Sequence, residues 1–285
     1  MRVGLLGDTH GHVPALEAAI RGCREAGVDL IIHCGDFINT PFSPDAPDEV
    51  IELLRAERVM AIYGNGEIYL RDWGTDRWPA TVAQRLRRPD PPGPFFREPF
   101  IAAGQAMLGA NNLAWLRALP GELKLDCVRP HDVYVCHSMP GDQFSGIWDS
   151  AVRSATFHGP DPAYAAEFTD EEIEAALARV GDADLILCGH VPYPLVQRTP
   201  LPGGRHALVV RGVGFPEGEP DGAGWTIDYC VLAHVGPTRL GFRAWEVHRH
   251  IREFRPRDPT WTIARAVASA APRDSPPDVP FRASS

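Results

Sequence analysis

The chain has 285 residues, 44% of them hydrophobic and 23% charged, an ordinary globular balance able to bury one sizeable core. Its net charge of −9 argues against a general nucleic-acid binder or an anionic-membrane binder, and no apolar run approaches the roughly 20 residues of a membrane span. Six cysteines make no disulfide framework, and with no signal-peptide pattern before Val3 a cytoplasmic protein is expected.

Residues 3–6 form a short apolar run that reads as a buried strand. It ends in Gly7 and delivers Asp8 and His10. In an extended segment these two positions face the same side and so could face one ion. Residues 13–27 carry Leu16, Ala19, Ile20 and Cys23 at helical spacing, with Pro14 suited to a first turn and Gly27 to a C-terminal cap. Residues 29–34 read as a second strand buried on both faces, closed by Gly35-Asp36. A helix over 45–57 and a strand over 58–63 follow, the latter closed by Gly64-Asn65-Gly66-Glu67. Three β-then-α units predict a parallel-type sheet, whose sites gather at the carboxyl ends of the strands. Asp8, His10, Asp36 and Asn65 all fall there.

Residues 68–110 read as a long irregular excursion with one short helix, a candidate for substrate selection. A helix is expected over 112–119 and strands over 122–128 and 132–136, the second ending at His137. Residues 138–169 are a second excursion that includes His158. A helix with acids in its first turn follows over 169–180, then a strand over 184–188 ending in Gly189-His190. Strand-like runs at 195–198, 206–211, 226–234 and 239–248, separated by turn residues, suggest an antiparallel second half. The organisation expected is one domain over 1–254, with insertions at about 68–110 and 138–169, and a Pro/Arg/Ser-rich tail over 255–285.

Asp8, His10, Asp36, Asn65, His137 and His190 offer only oxygen and imidazole donors. That set suits Mn, Fe, Zn or Co, and not calcium or an iron–sulfur cluster. Cys34, Cys136 and Cys188 read instead as small buried hydrophobes. Six donors with only two carboxylates are too many for one catalytic ion. They suit two ions about 3.5–4 Å apart, sharing a carboxylate, which clamp a phosphoryl oxygen and acidify a water between them. A Gly-Asp or Gly-His after a strand has an ordinary structural meaning when alone. Five such motifs in order, each closing an apolar strand, carry the reading.

The series Asp8-Thr9-His10, Gly35-Asp36, Gly64-Asn65, His137 and Gly189-His190 resembles the calcineurin-like metallophosphoesterases. Residues 213–216, Val-Gly-Phe-Pro, are similar to a segment that follows the last motif in small bacterial members. The resemblance implies an α/β fold, a four-layer α/β/β/α sandwich of two mixed sheets flanked by helices. By analogy Asp8 and His10 hold the first metal, Asp36 bridges, and Asn65, His137 and His190 hold the second. It further implies phosphoester hydrolysis by a metal-bridging hydroxide on a small phosphorylated substrate.

Two departures qualify the likeness. Gly66 stands where the family usually has a substrate-contacting histidine, so substrates with good leaving groups, phosphodiesters or nucleotide-type esters, are slightly favoured. Pro192 stands where a further histidine is usual, which leaves the first site short of a donor. His12 is the candidate catalytic replacement. His33 reads as a packed core residue, Glu67 as an orienting group, and Arg85 to Arg88 as a solvated helix face. The alternatives are a phosphomonoesterase or protein phosphatase, and a degenerate fold that binds a phosphorylated ligand or partner without turnover.

Overall fold

The computed structural model describes residues 2–11, 13–38, 47–86, 98–125, 132–144, 170–183 and 185–190, with the backbone of 195–200, 206–211, 229–235 and 240–246. It opens with β1 (Arg2–Leu6), α1 (Val13–Glu25), β2 (Leu30–His33), α2 (Pro47–Ala56) and β3 (Met60–Ala61). As the alternation of strands and helices predicts, β1, β2 and β3 are parallel, with Val3 opposite Leu30 and Ile32 opposite Met60.

The stretch read as an irregular excursion is instead largely helical where it is described. Helices α3 (Asn65–Asp72), α4 (Trp78–Arg85) and α5 (Glu98–Ala106) precede α6 (Ala110–Ala118). Helices of eight or nine residues are marginal alone and depend on tertiary contacts, which is why local pattern missed them. Ile68, Leu70 and Ile101 are buried, Gln105 donates to the carbonyls of Leu70 and Trp73, and Asp48 accepts from the Gly109 amide that caps α6. Arg85, expected on a solvated face, is buried.

Strands β4 (Glu122–Leu125) and β5 (Val133–Cys136) pair antiparallel; α7 (Asp170–Val180) then leads to β6 (Leu185–Cys188), parallel to β5. The remaining strands are β7 (Leu195–Pro200), β8 (His206–Arg211), β9 (Tyr229–Val235) and β10 (Leu240–Glu246). They do not form a separate antiparallel half. β8 runs parallel to β6 with β7 at its edge, while β9 returns to pair antiparallel with β1 and carries β10 outside it. The result is two five-stranded mixed sheets, β10-β9-β1-β2-β3 and β4-β5-β6-β8-β7.

Alternate residues of each strand serve different cores, as the two-residue period of a strand demands. Val3, Leu5, Ile32 and Cys34 share one cluster with Val133, Val135 and Leu187 of the second sheet. From the opposite face of the first sheet, Leu6 and Ile31 pack with Leu16, Ile20, Val50, Leu54 and other helical residues. Tyr134, Cys136, Ile186 and Cys188 meet Ala176 and Val180 of α7. Cys34, Cys136 and Cys188 are buried free thiols, as expected. Among the described residues no helix is long and apolar enough to cross a membrane.

A buried ion pair at the end of α3 is bonded to α4 through Thr81. The Arg71 guanidinium donates to both Asp72 oxygens at 2.6 and 3.0 Å, lies 3.7 Å over the Tyr63 ring, and shares Asp72 with the Thr81 hydroxyl at 2.7 Å. Removing one partner strands the other charge in the interior, at a cost of about 3–5 kcal/mol. Asp72→Ala is therefore expected to lower the unfolding free energy by that amount in urea denaturation. A loss below about 1 kcal/mol, the range of an exposed pair, would contradict the assignment.

Candidate metal centre

The loops after β1 and β2 continue to pair beyond the strands. The Asp8 amide donates to the Gly35 carbonyl at 3.0 Å, His10 to Asp36 at 2.8 Å and Gly11 to Phe37 at 2.7 Å. This pairing turns the chain through the left-handed region, with φ of 54° at Asp8, 46° at His10 and 54° at Asp36. The extended geometry expected for Asp8 and His10 is therefore replaced by a turn. His190 shares the conformation at φ 69°. Such backbones cost on the order of 1–3 kcal/mol each and persist where surrounding contacts over-determine them. Asp and His are among the side chains that tolerate the region.

Glu67 holds the second and third loops together. Its fully buried carboxylate accepts from the amides of Asp36 at 2.7 Å, Ile38 at 2.7 Å and Gly64 at 2.8 Å. The last of these is the glutamate half of a capping box, Gly64 being the N-cap of α3 and Glu67 its N3 residue. One residue earlier, the Gly66 amide donates to Asp36 Oδ1 at 2.7 Å. A Cβ on Gly66 would stand 2.8 Å from the Ile38 carbonyl oxygen, so this backbone favours a residue without a side chain here. Gly35, at φ 92°, is confined further: a Cβ there would meet the Gly64 nitrogen at 2.5 Å.

His137 is buried, and its Nδ1 lies 2.7 Å from the Cys34 carbonyl, a contact that only an N–H can make. The other nitrogen, Nε2, faces Asn65 Oδ1 at 2.9 Å, His190 Nδ1 at 3.1 Å and Asp36 Oδ1 at 3.5 Å. The His190 amide in turn donates to both Asp8 oxygens, at 3.0 and 2.8 Å. Two clusters result, Asp8–His10–Asp36 and Asp36–His137–His190, each with its donor atoms within 4.8 Å of one another. Asp36 belongs to both. Five sequence-selected donors thus come together with Asn65 beside them, while His12, His158, Pro192 and residues 213–216 lie outside the described residues.

Burial opposes charge on Asp36, but His137, then His10 and His190, hold its carboxyl well below the usual range. Burial opposes charge on His137 too, yet Asp36, Asp8 and the Cys34 carbonyl push its pKa up to about 9. Burial and the Asp36 charge push the Glu67 carboxyl up to about 8, against the smaller downward pull of the Ile38 and Gly64 amides. The parts that sequence reading passed over are mostly backbone: the Cys34 carbonyl and the Gly66 amide have no side-chain signature.

A family model described as calcineurin-like phosphoesterase matches residues 1–194. A phosphodiesterase of Methanocaldococcus jannaschii is 33% identical over 79 residues, which is 27% of this chain and 44% of that protein. The chain therefore spans less than half the length of that curated relative. A crystal structure of a hypothetical protein from Pyrococcus horikoshii OT3 superposes with a TM-score of 0.57 at 17% identity, covering 94% of this chain and 96% of that one. A metallophosphoesterase from Sphaerobacter thermophilus superposes at 0.51 and 20% identity, covering 95% and 99%. At these identities the two structures establish likeness of fold.

Glu67→Ala would leave three backbone amides without their acceptor, at about 1–3 kcal/mol for each one left dry. A loss of at least ~3 kcal/mol in chemical denaturation is expected, and an unchanged midpoint would refute the role. At pH 7 a His137 with its pKa near 9 carries a proton on Nε2, which a cation must displace. Cation uptake should release protons at pH 7, and affinity should rise with pH up to about 9 and then level off. Calorimetry in two buffers of different ionisation heat measures this, and equal heats in both would rule it out.

Proposed function

The chain belongs to the calcineurin-like phosphoesterase family, and we propose that it is a metal-dependent phosphoesterase working with two divalent transition-metal ions, Mn, Fe or Zn. In this reading Asp8 and His10 hold the first ion, Asp36 is shared, and Asn65, His137 and His190 hold the second. The observation that carries it is the crowding at His137 Nε2, where an amide oxygen, an imidazole nitrogen and a carboxylate oxygen converge on one nitrogen within 3.5 Å. A single proton can serve one of these acceptors well; a cation serves the whole set. The mixture of oxygen and imidazole donors without thiolate fits such ions.

When bound, a pair of such ions supplies the Lewis acidity that polarises a phosphoryl oxygen and makes water nucleophilic near neutral pH. The protein fixes the donors. The Cys34 carbonyl holds the His137 tautomer with Nε2 inward, the Gly66 amide sets the Asp36 carboxylate, and the His190 amide sets Asp8. With Gly66 bare, the leaving group receives no proton from this position. Esters that part easily, phosphodiesters or nucleotide-type substrates, are therefore favoured over phosphoproteins. The name of the methanogen relative, a phosphodiesterase, supports the same choice. His12, two residues beyond His10, is the proposed contact to phosphate.

The three core clusters support reading the fold as a four-layer α/β/β/α sandwich; one domain over 1–254 is proposed with it. A small phosphorylated substrate and a cytoplasmic setting complete the proposal.

Hydrolysis of bis-p-nitrophenyl phosphate and p-nitrophenyl phosphate tests it, with Mn²⁺ and with chelator. Wild type should turn over the diester faster, and only with metal. Asp36→Asn should lose at least ~100-fold, the upper end for residues that merely support a ligand. Turnover unaffected by chelator, or by Asp36→Asn, would remove the mechanism.

A further inference from the structure

Thr9 stands between two residues in left-handed backbone, Asp8 and His10, at φ 54° and 46°. Its side chain does not face solvent: Thr9 is 3% exposed, and its hydroxyl lies 3.0 Å from Nε2 of His33. His33 is fully buried on β2, edge-on to Phe37 with ring centroids 5.6 Å apart at 90°. Its Nδ1 has no hydrogen-bond partner among the described residues. Burial is the first cause of a pKa lowered to about 3, so the ring is neutral and carries one N–H. Placed on Nε2, that proton meets the Thr9 hydroxyl oxygen and leaves only a lone pair on Nδ1. Placed on Nδ1, it would be an orphaned buried donor, the rarer and costlier arrangement.

We propose that His33 is a positioning residue for the first metal pocket, acting through Thr9 to hold the Asp8-Thr9-His10 turn in the conformation that presents both donors. The proposal rests on the reading of Asp8, His10 and Asp36 as a metal pocket. The pocket has three donors from this chain, while Asp36, Asn65, His137 and His190 give the other four. With Pro192 in place of a further histidine, the poorer pocket depends more on donors held ready before an ion arrives. The second pocket hangs on other supports: α3 carries Asn65, and the Cys34 carbonyl orients His137. Loss of the Thr9–His33 bond therefore acts on one pocket selectively.

The test is Mn²⁺ titration of the metal-free full chain, followed by the electron paramagnetic resonance of free Mn²⁺. Wild type should take up two ions in a tighter and a weaker step. Thr9→Val, nearly isosteric, should weaken one step about 10–100-fold, the effect usual for residues that orient a ligand, and leave the other within about twofold. Thr9→Ser, which restores the hydroxyl, should restore the affinity. His33→Leu should match Thr9→Val, and the double variant should be no worse than either, because both remove the same bond. Asn65→Ala assigns the steps by weakening the opposite one. Equal weakening of both steps by Thr9→Val, no weakening of either, or failure of Thr9→Ser to rescue would overturn the proposal. A wild-type chain that binds no Mn²⁺ would overturn the metal pocket itself, a result distinct from two bound ions with an indifferent Thr9→Val.

Discussion

The carboxylate of Glu67 has no solvent to hydrate it, and three backbone amides do that work. Two of the amides belong to the loop after β2 and one to the loop after β3. A buried carboxyl without donors is strongly unfavourable, so the loops and Glu67 stabilise one another. That mutual requirement sets where Asp36 and Asn65 stand relative to each other before any ion is considered. The next amide along, at Gly66, then fixes how the Asp36 carboxylate is turned. Much of the geometry of the centre thus descends from one side chain that is not itself among the candidate ligands.

Four of the five described non-glycine residues with positive φ are candidate donors, the exception being Arg58. Strain concentrated in this way is sustained by the backbone ladder that runs from Asp8 through Gly11 alongside Gly35 to Phe37. Glycine where backbones nearly touch, as at Gly35 beside Gly64, lets the loops close to that distance.

Much of this was legible in residues. Runs such as 3–6, 30–32 and 185–188 are apolar and lead within a few residues to a donor, a pattern that needs only neighbours to be read. The turn at Asp8 and His10 was not legible, because its cause lies in the carbonyls of Gly35 and Asp36, far along the chain. The helices α3, α4 and α5 escaped because their stability comes from groups such as Gln105 reaching back to Leu70, and not from periodicity. Turn residues correctly separated the late strands, but no local signal could tell that β9 leaves its sequence neighbours to lie beside β1.

That return has a consequence for the order in which the protein can form. β1 is the middle strand of its sheet: one neighbour, β2, is made within about 30 residues of it, the other, β9, more than 200 residues later. During synthesis β1 therefore spends most of the elongation time as an open edge, offering unpaired amides and carbonyls to any passing strand. Pairings of such sequence separation close slowly, and the waiting intermediate is the one most exposed to mispairing. The loops after β1 to β3 that carry the candidate donors can be assembled early from local units, yet the sheet beneath them is finished last. A ribosome-bound or truncated chain that stops before β9 would carry the donors on an unfinished floor.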